Sequence, residues 1–397
     1  HYYFTNKHKT PWGDAINLDG KYSSFVRNFF IENALHWIHE FHMDGLRLDA
    51  THAIVDDSEV HFLKELATKV KNTFNNRKVL LIPEDHRNLT TLIQSNDQGG
   101  FALDAVWSDD FHHQIQKLLT GESDGYYCDF RGEIQDLLTI IRKGWLFCGQ
   151  HSEYFGGARG SNPAGIPLEK FVFFLQNHDQ VGNRATGERL HHYIDGSAYR
   201  AVSVLLLCLP QTPLLFMGQE WAASSRFCYF TNHNQELGKE VTEGRKLEFM
   251  HFSSFADPNS AVIIPDPQQE ETFLKSKLHW SEQRIYPHAG ILRLYQKLLE
   301  LRQSEPEFRS FTFKAYSSGE NALLLQRISE NSTLLVVIQL KGPGEVFLPA
   351  DINKAKIILT TEDLEFVENN EPLQIQLSKN PSVRFVRPGA VLMRYNR

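Results

Sequence analysis

The first 305 or so residues of the chain alternate short apolar runs with longer segments of helical periodicity, and this alternation constrains the fold most. The apolar runs are nearly continuous, which is typical of strands in a parallel sheet covered on both faces. Five strand–helix units are predicted, with strands near residues 46, 80, 104, 173 and 214. A doubly wound sheet and a barrel both fit this number of units.

The bounds of these elements follow from the spacing of apolar residues and from turn residues. Helices are predicted over residues 23–41, 59–74, 110–119, 133–142, 199–209 and 291–302. Strands are predicted over residues 45–48, 79–82, 102–107, 171–175 and 214–216. Ser23 or Ser24 is the predicted N-cap of the first helix. Its apolar residues at helical spacing are Phe25, Phe29, Ile38 and Phe41.

The character of the sequence changes after Phe308, where short strands dominate. Strands are predicted over residues 311–316, 323–327, 334–340, 346–348, 356–359, 373–377 and 390–395. Gly, Pro, Asn and Asp separate them, which favours a small antiparallel β-domain of about 90 residues. The predicted domains are therefore residues 1–306 and 307–397.

Composition excludes several classes of protein. Hydrophobic residues make up 41% of the chain and aromatics 12%, enough for a substantial core, so a mainly disordered protein is excluded. The net charge of −7, without basic runs, argues against nucleic acid or a membrane surface as a partner. No apolar stretch reaches membrane-spanning length. The four cysteines are expected to be free thiols of a cytoplasmic protein.

Neither a metal site nor a cofactor is predicted. The histidine pairs at residues 112–113 and 191–192 are adjacent in sequence, so their side chains diverge on a regular element. No His-Glu-x-x-His spacing occurs either. The oligomeric state stays open.

Acidic residues follow three of the predicted strands. Asp49, Glu84 and Asp179 each come after such a strand, the last with His178 beside it. In a barrel, the C-terminal ends of the strands form the catalytic face, and two carboxylates suffice for glycoside hydrolysis. Arg47 points to the same side of its strand as Asp49 and would hold that carboxylate ionised. Each acid alone could be a turn or capping residue, but recurrence at three strand ends favours catalysis.

Three motifs resemble those of the alpha-amylase superfamily and occur in the family's order. They are Asp44-Gly45-Leu46-Arg47-Leu48-Asp49-Ala50 for the fourth strand, Ile82-Pro83-Glu84 for the fifth and Phe174-Leu175-Gln176-Asn177-His178-Asp179 for the seventh. Further segments resemble the maltooligosyltrehalose trehalohydrolases within that superfamily. These segments are residues 3–5, 10–13, 49–54, 107–113, 218–221, 230–233 and 265–267.

The resemblance implies a retaining glycosidase without a cofactor. Asp49 would be the nucleophile, Glu84 the general acid and base, and Asp179 the residue that binds the distorted sugar. Arg47 and His178 would assist them. The two reacting carboxyls should lie about 5–5.5 Å apart. Desolvation and the charge of Asp49 should raise the pKa of Glu84. The implied substrate is a maltooligosyltrehalose, whose α-1,4 bond next to the trehalose end is cut to release trehalose.

Further substrate contacts are expected near the three carboxylates, from aromatic platforms and hydrogen-bonding groups. The candidate platforms are Trp12, Trp107, Phe155 and Trp221, and the candidate polar groups are His52, Asp109, Asp110, His112, Gln180 and Arg184. Core packing is the alternative for the aromatic residues, helix capping for Asp110, and a structural hydrogen bond for His52.

The chain also departs from the family. The third-strand motif of the superfamily is not found before Tyr3, and at about 30 residues per unit some 90 barrel residues are expected to be missing. The predicted fold is therefore a (β/α)8 TIM barrel that lacks its first three βα units, followed by a small antiparallel β-sandwich. Such a chain is expected to be unstable or inactive by itself. Thr51 replaces a more usual small apolar residue, with no predicted consequence.

Other functions stay open at this point. A second α-glucan-active enzyme of the superfamily, such as a branching or debranching enzyme or a transglycosylase, would carry the same three carboxylates. An inactive glucan-binding fragment is the alternative outside enzymes, but it would be expected to have lost some of those acids.

Overall fold

A computed structural model describes residues 2–249, 264–352 and 354–396. The chain forms two compact units, His1–Asp110 with Lys143–Phe173 and Phe111–Arg142 with Phe174–Arg397. The α-helices are α1 (Ser23–Glu40), α2 (Phe62–Thr73), α3 (Asp109–Thr120), α4 (Ile134–Lys143), α5 (His178–Gly182), α6 (Gly196–Cys208), α7 (Gln235–Phe249), α8 (Glu270–Lys275), α9 (His288–Ser304) and α10 (Pro306–Arg309).

The strands fall into two groups along the chain. The first group is β1 (Phe4–Thr10), β2 (Gly13–Ile16), β3 (Gly45–Leu48), β4 (Leu80–Pro83), β5 (Val106–Trp107), β6 (His151–Ser152), β7 (Gly157–Ala158), β8 (Phe171–Phe174) and β9 (Thr212–Leu214). The second group is β10 (Thr312–Ser318), β11 (Ala322–Ile328), β12 (Ser332–Gln339), β13 (Gly344–Phe347), β14 (Lys356–Thr360), β15 (Gln374–Gln376), β16 (Ser382–Phe385) and β17 (Gly389–Asn396).

The first unit contains the parallel pairing that the sequence predicts. Strand β3 pairs with β4 in parallel, and β5 pairs with β8 in the same way. A glycine is needed at Gly45, because a Cβ there would lie 2.5 Å from the carbonyl oxygen of Leu80. Asp104 links the two pairs, since its N–H donates to Leu81 O at 3.0 Å and its carboxylate accepts the Leu81 N–H at 2.8 Å.

Helix α1 is confirmed, but its predicted cap and apolar face are not. The helix begins after Tyr22, which lies in the left-handed region at φ 67°, so the prediction of Ser23 or Ser24 as N-cap is wrong. The buried apolar residues are Val26, Ile31, Ala34 and Ile38. The aromatic members of the predicted face, Phe25, Phe29 and Phe41, are exposed. The spacing of the apolar residues identified the helix correctly. The helix has two apolar faces, however, and the one that is buried is not the predicted one.

Two predicted strands differ in extent. The strand predicted over residues 102–107 is limited to β5, because Ala102 lies in the left-handed region at φ 57° and cannot extend it. The strand predicted over residues 214–216 lies earlier, as β9, since the Phe216 N–H donates to the side chain of Gln219 instead of to a strand. The antiparallel hairpin of β1 and β2 and the helix α7 were not predicted from the sequence.

The C-terminal strands all pair antiparallel. One sheet has the order β10-β11-β12-β17-β14 and the other the order β13-β16-β15. Side chains from both sheets join one hydrophobic cluster, which includes Val337, Val383, Phe385 and Met393. All seven predicted strands are present. Strand β16 was missed because only two apolar residues, Val383 and Phe385, alternate in it.

Phe385 gives a test of this cluster. The side chain is 1% exposed, so Phe385→Ala is expected to lower the free energy of unfolding by about 3–5 kcal/mol through lost burial and a cavity. Phe347 lies in the same three-stranded sheet but is 67% exposed, and Phe347→Ala should change stability by less than about 0.5 kcal/mol. Denaturant unfolding of both variants measures the difference. Equal effects would contradict this assignment of the core.

All four cysteines are free thiols, as predicted. Cys208 and Cys228 are buried, whereas Cys128 is exposed. Within residues 2–249, 264–352 and 354–396, no helix combines the length and the apolar character needed to cross a membrane.

Candidate active site

Asp49 directly follows β3 and Glu84 directly follows β4, and these two strands of the first unit are paired. The register of β3 and β4 places Leu48 opposite Pro83, so the two acids follow at the same level. The Glu84 N–H donates to Leu48 O at 2.9 Å, and the Thr51 N–H donates to Glu84 O at 3.1 Å. The parallel ladder thus continues one step beyond the strands and fixes both acid-bearing backbones.

Arg47 reaches both carboxylates. Its guanidinium forms an ion pair with Asp49, and its Nη2 lies 3.7 Å from Glu84 Oε2. The same Glu84 oxygen accepts the Ala50 N–H at 2.7 Å. Arg47 also lies over the ring of Trp107, with its Cζ 4.5 Å from the ring centroid. One planar cation, held against an aromatic face, therefore organises the two acids.

The two carboxylates differ in exposure. The side chain of Asp49 is 77% exposed, and that of Glu84 is 19% exposed. An open carboxylate beside a shielded one suits a nucleophile paired with a general acid. The raised pKa of Glu84 that is expected from the sequence stays a prediction.

A row of rings lies close to these acids in the same unit. His52 follows Asp49 by three residues, and its ring is 6.1 Å from Trp12 and 4.3 Å from His86. His86 follows Glu84 by two residues and stacks on Phe155 at 4.9 Å. Trp12 and Phe155 are exposed, as aromatic platforms for a sugar would be. His86 was not predicted as a site residue, although its place two residues after Glu84 was a usable signal.

His86 is a neutral partner in this row. Burial, and then the charge of His52, lowers the pKa of His86 to about 4. The ring can therefore stack and exchange hydrogen bonds near neutral pH without adding a charge next to Asp49 and Glu84.

Asp110 makes structural contacts in the first unit, and its predicted sugar contact stays a prediction. Its carboxylate is fully buried and accepts the N–H groups of Leu146 at 2.7 Å and Phe147 at 3.2 Å. Arg159 forms an ion pair with it at 2.8 Å, and the side chain of Asn88 donates to it at 2.9 Å. It is not a helix cap either, because α3 already begins at Asp109.

Two other predicted contacts lie on α3 and β5. Asp109 stands in the first turn of α3, where a carboxylate is stabilised by the helix dipole. Trp107 is 8% exposed and contributes its ring face to Arg47. A direct sugar contact by either residue stays a prediction.

In the second unit, His178 and Asp179 are the first two residues of α5, which begins shortly after the end of β8. Asn177 caps α5 by accepting the Gln180 N–H on Oδ1 at 2.8 Å, which turns the chain directly after the strand. His178 Nε2 lies 3.3 Å from Asp179 Oδ2, and both side chains are nearly half exposed. Gln180 accepts a hydrogen bond from the Tyr126 hydroxyl at 2.9 Å. The predicted order of strand, turn and acid is present here.

Arg184 is held by its neighbours in the same unit. Its Nη1 lies 3.0 Å from a Glu122 carboxylate oxygen, and its Cζ lies 4.7 Å from the ring centroid of Tyr193. Since the side chain is only 19% exposed, its role as a direct sugar ligand stays a prediction that requires Glu122 to share it.

His112 and Trp221 are buried in the second unit, and the substrate contacts predicted for them stay predictions. The Nδ1 of His112 lies 2.6 Å from Leu175 O, and its Nε2 lies 3.1 Å from the Tyr127 hydroxyl. Trp221 is 1% exposed and packs against Trp280 at 5.3 Å. Both residues lie in the interior of the second unit. Their positions in the sequence motifs alone do not reveal this burial.

Burial lowers the pKa of His112 from its ordinary 6.5 to about 4, which makes stability depend on pH. Between these values the unfolded chain binds a proton that the folded chain does not, so stability falls as the pH falls. The expected slope is up to about 1.4 kcal/mol per pH unit. In His112→Asn that slope should shrink. Unfolding free energies between pH 8 and pH 4 measure it, and parallel curves for the two proteins would contradict the prediction.

Among the described residues, His8, Asp19 and Asp57 form a group that could hold a metal ion. The Lys7 ammonium already lies 2.7 Å from Asp19 and 3.3 Å from Asp57. His8 Nε2 lies 2.8 Å from Asp19 as well. A lysine therefore supplies the positive charge at this cluster, and no metal site is assigned to it.

Sequence comparison finds close relatives, although no family model matches the chain. The chain is 45% identical to malto-oligosyltrehalose trehalohydrolase of Deinococcus radiodurans over 374 residues, which are 91% of this chain and 59% of that protein. It is 37% identical to the enzyme of the same name from Saccharolobus solfataricus, over 89% of this chain and 61% of that protein. The chain thus spans about three fifths of the length of the curated relatives it matches.

Solved structures show the same fold. A crystal structure of a Salmonella typhimurium protein assigned as an alpha amylase superposes with a TM-score of 0.82 at 30% identity, over 99% of this chain and 64% of that one. Trehalose-6-phosphate hydrolase of Bacillus licheniformis superposes with a TM-score of 0.59 at 18% identity, over 98% of this chain and 71% of that one. The chain therefore shares the fold of these alpha-amylase family proteins, a TIM barrel with a β-domain, over about two thirds of their length.

Proposed function

Because this chain belongs to the malto-oligosyltrehalose trehalohydrolase family, we propose that the protein hydrolyses the α-1,4-glucosidic bond next to the trehalose end of a maltooligosyltrehalose. The products would be trehalose and a shortened maltooligosaccharide. One observation carries the proposal: Asp49 and Glu84 follow adjacent parallel strands and share the guanidinium of Arg47. A retaining glycosidase requires its two carboxyls to lie about 5–5.5 Å apart, and the pairing of the two strands supports such a close placement.

The proposed reaction has two steps. A carboxylate oxygen of Asp49 attacks the anomeric carbon, while Glu84 gives its proton to the departing oxygen of trehalose. Glu84 then takes a proton from water, whose oxygen attacks the same carbon and releases Asp49. Asp179 would bind the ring hydroxyls in both steps, a role that rests on its motif and on its exposed position at the start of α5.

The proposed substrate contacts follow from exposure. Trp12 and Phe155 would stack on glucosyl units, with His52 between them as a hydrogen-bonding group. His178 and Gln180, which belong to the second unit, would bind hydroxyl groups of the substrate. The free thiols support a cytoplasmic protein, and the proposed reaction uses only the protein's own side chains, without a metal or cofactor.

We further propose that the fold is a TIM barrel whose first three βα units lie outside residues 1–397, with residues 307–397 as a β-sandwich domain. The support is local. Among the described residues, β3 pairs only with β4, which leaves one of its edges open. Next to it lies a groove of about 620 Å³, whose apolar lining includes Phe30, Ala34, Trp37, Leu46, Leu48 and Phe62.

Product analysis tests the proposed function. The whole enzyme is incubated with a maltooligosyltrehalose and, separately, with a plain maltooligosaccharide of equal length. Release of trehalose from the first, much faster than glucose or maltose from the second, is the expected result. Transfer of glucan chains without trehalose release would instead favour a branching enzyme or transglycosylase. Binding without cleavage of either glucan would favour a glucan-binding protein.

A further inference from the structure

Thr51 links the two acid-bearing segments of the first unit. It is fully buried in a one-turn helix over Thr51–Ala53, two residues after Asp49. Its hydroxyl lies 3.0 Å from Glu84 O and 2.9 Å from Asp85 Oδ2. One hydroxyl hydrogen is therefore shared between a backbone carbonyl and a carboxylate, both on the segment that carries Glu84.

Asp85 is the buried anchor of that segment. The residue is 2% exposed, and Arg87 contacts both of its carboxylate oxygens, with Nε at 2.9 Å and Nη2 at 2.6 Å. The Arg87 N–H donates to the same group at 3.0 Å. A buried carboxylate held on both oxygens cannot rotate, so the residue before it in sequence, Glu84, starts from a fixed backbone position.

Two contacts on Glu84 come from the segment that carries Asp49. Its backbone carbonyl accepts from Thr51, and its carboxylate accepts the Ala50 N–H at 2.7 Å. A hydroxyl at position 51 thus adds a tie between the segments that an apolar residue cannot provide. Reacting groups must be held to within about 0.5 Å. Without the hydroxyl, Glu84 O keeps the Thr51 N–H and Asp85 keeps Arg87, so what is lost is the direct tie between the two segments through the Thr51 side chain.

We propose that Thr51 is a positioning residue which, together with Asp85, fixes the carboxyl of Glu84 relative to Asp49. The proposal rests on the proposed function, in which Glu84 donates the proton to the leaving group. It predicts a defect confined to reactions that need that proton.

Thr51→Val removes the hydroxyl and keeps a β-branched side chain of similar shape. In the whole enzyme, kcat on maltooligosyltrehalose should fall about tenfold while KM stays within about twofold, since a misplaced acid raises the transition state but not the bound substrate. Thr51→Ser should recover most of the loss. Thr90→Val is the matched control: Thr90 is another buried threonine of this unit, and its hydroxyl lies 3.0 Å from Ser161 Oγ.

An α-maltotriosyl fluoride separates positioning of the acid from general damage. Fluoride leaves with little protonation, so Thr51→Val should retain at least about half of wild-type turnover on it. An equal loss on both substrates, or a Thr90→Val effect as large as that of Thr51→Val, would overturn the proposal. If Thr51→Val does not fold, Thr51→Ala is measured on the same two substrates.

Glu84→Gln identifies the source of a failure. It should lose activity on maltooligosyltrehalose by at least about a thousandfold and keep most of it on the fluoride. If Glu84→Gln shows this contrast and Thr51→Val does not, Thr51 is not a positioning residue. If Glu84→Gln lacks the contrast, the role proposed for Glu84 is itself wrong.

Discussion

Replacing Asp49 with asparagine is expected to lower kcat of the whole enzyme by roughly four orders of magnitude or more, with ligand affinity almost unchanged. The amide is close in shape to the carboxylate, but its oxygen is too weak a nucleophile to form the glycosyl-enzyme. Because the side chain is 77% exposed, its replacement should not disturb the fold.

The matched control for this variant is Asp44→Asn. Asp44 directly precedes β3, its side chain is 94% exposed, and it forms an ion pair with Arg77 at 3.1 Å. This variant changes the same charge at the other end of the strand and should keep turnover within about twofold. Steady-state kinetics and glucan binding are measured for both proteins. Near-normal turnover by Asp49→Asn would show that Asp49 is not the nucleophile.

Residues 1–397 expressed alone should release trehalose at least about a thousandfold more slowly than the whole enzyme and melt without a sharp transition. The exposed side of α1 carries Phe25, Phe29 and Trp37, which are 71%, 52% and 40% exposed. Covering each of them would contribute about 1.5–3 kcal/mol. Without that cover, the open edge of β3 and its apolar groove also favour association between chains.

Phe25→Ser distinguishes a covered surface from an ordinary exposed one. In the isolated chain the substitution should improve solubility, because Phe25 lies in solvent there. In the whole enzyme it should lower stability by about 3 kcal/mol, since the same ring would be buried. Full trehalose release and a normal melting transition from residues 1–397 would refute the proposed barrel completion.

The sequence predicted the backbone geometry around Asp49 and Glu84 well, for a physical reason. Parallel strands that pair in register end at the same edge of a sheet, so residues directly after them meet. Arg47 was also predictable, since side chains two residues apart on a strand share a face. These inferences need only local periodicity and a pairing rule.

Side-chain burial in the loops could not be predicted in the same way. Asp110 has polar motif neighbours, but its partners Arg159 and Leu146 come from a loop more than 30 residues away. Trp221 follows the turn at Gly218, is buried, and packs against Trp280, which comes from a distant part of the chain. Such contacts depend on how distant loops close, which neither spacing nor composition determines.

The choice of face on α1 failed for a related reason. Its sequence offers two apolar stripes, one with Val26, Ile31 and Ile38 and another with Phe25 and Phe29. Periodicity identifies a helix from either stripe but cannot say which of them meets α2 and β3. The role of Thr51 could not be predicted from the sequence either, because its hydroxyl acquires that role only when folding places Asp85 beside it.

The site of covalent attachment decides whether Asp49 is the nucleophile. A 5-fluoro-α-maltosyl fluoride should trap the glycosyl-enzyme, because the ring fluorine slows its hydrolysis more than its formation. Peptide mass spectrometry of the trapped whole enzyme is expected to find one maltosyl group, on the peptide at Asp49, and none in Asp49→Asn. A label on any other carboxylate, or an active enzyme whose product has the inverted anomeric configuration, would contradict the assignment of Asp49 and Glu84.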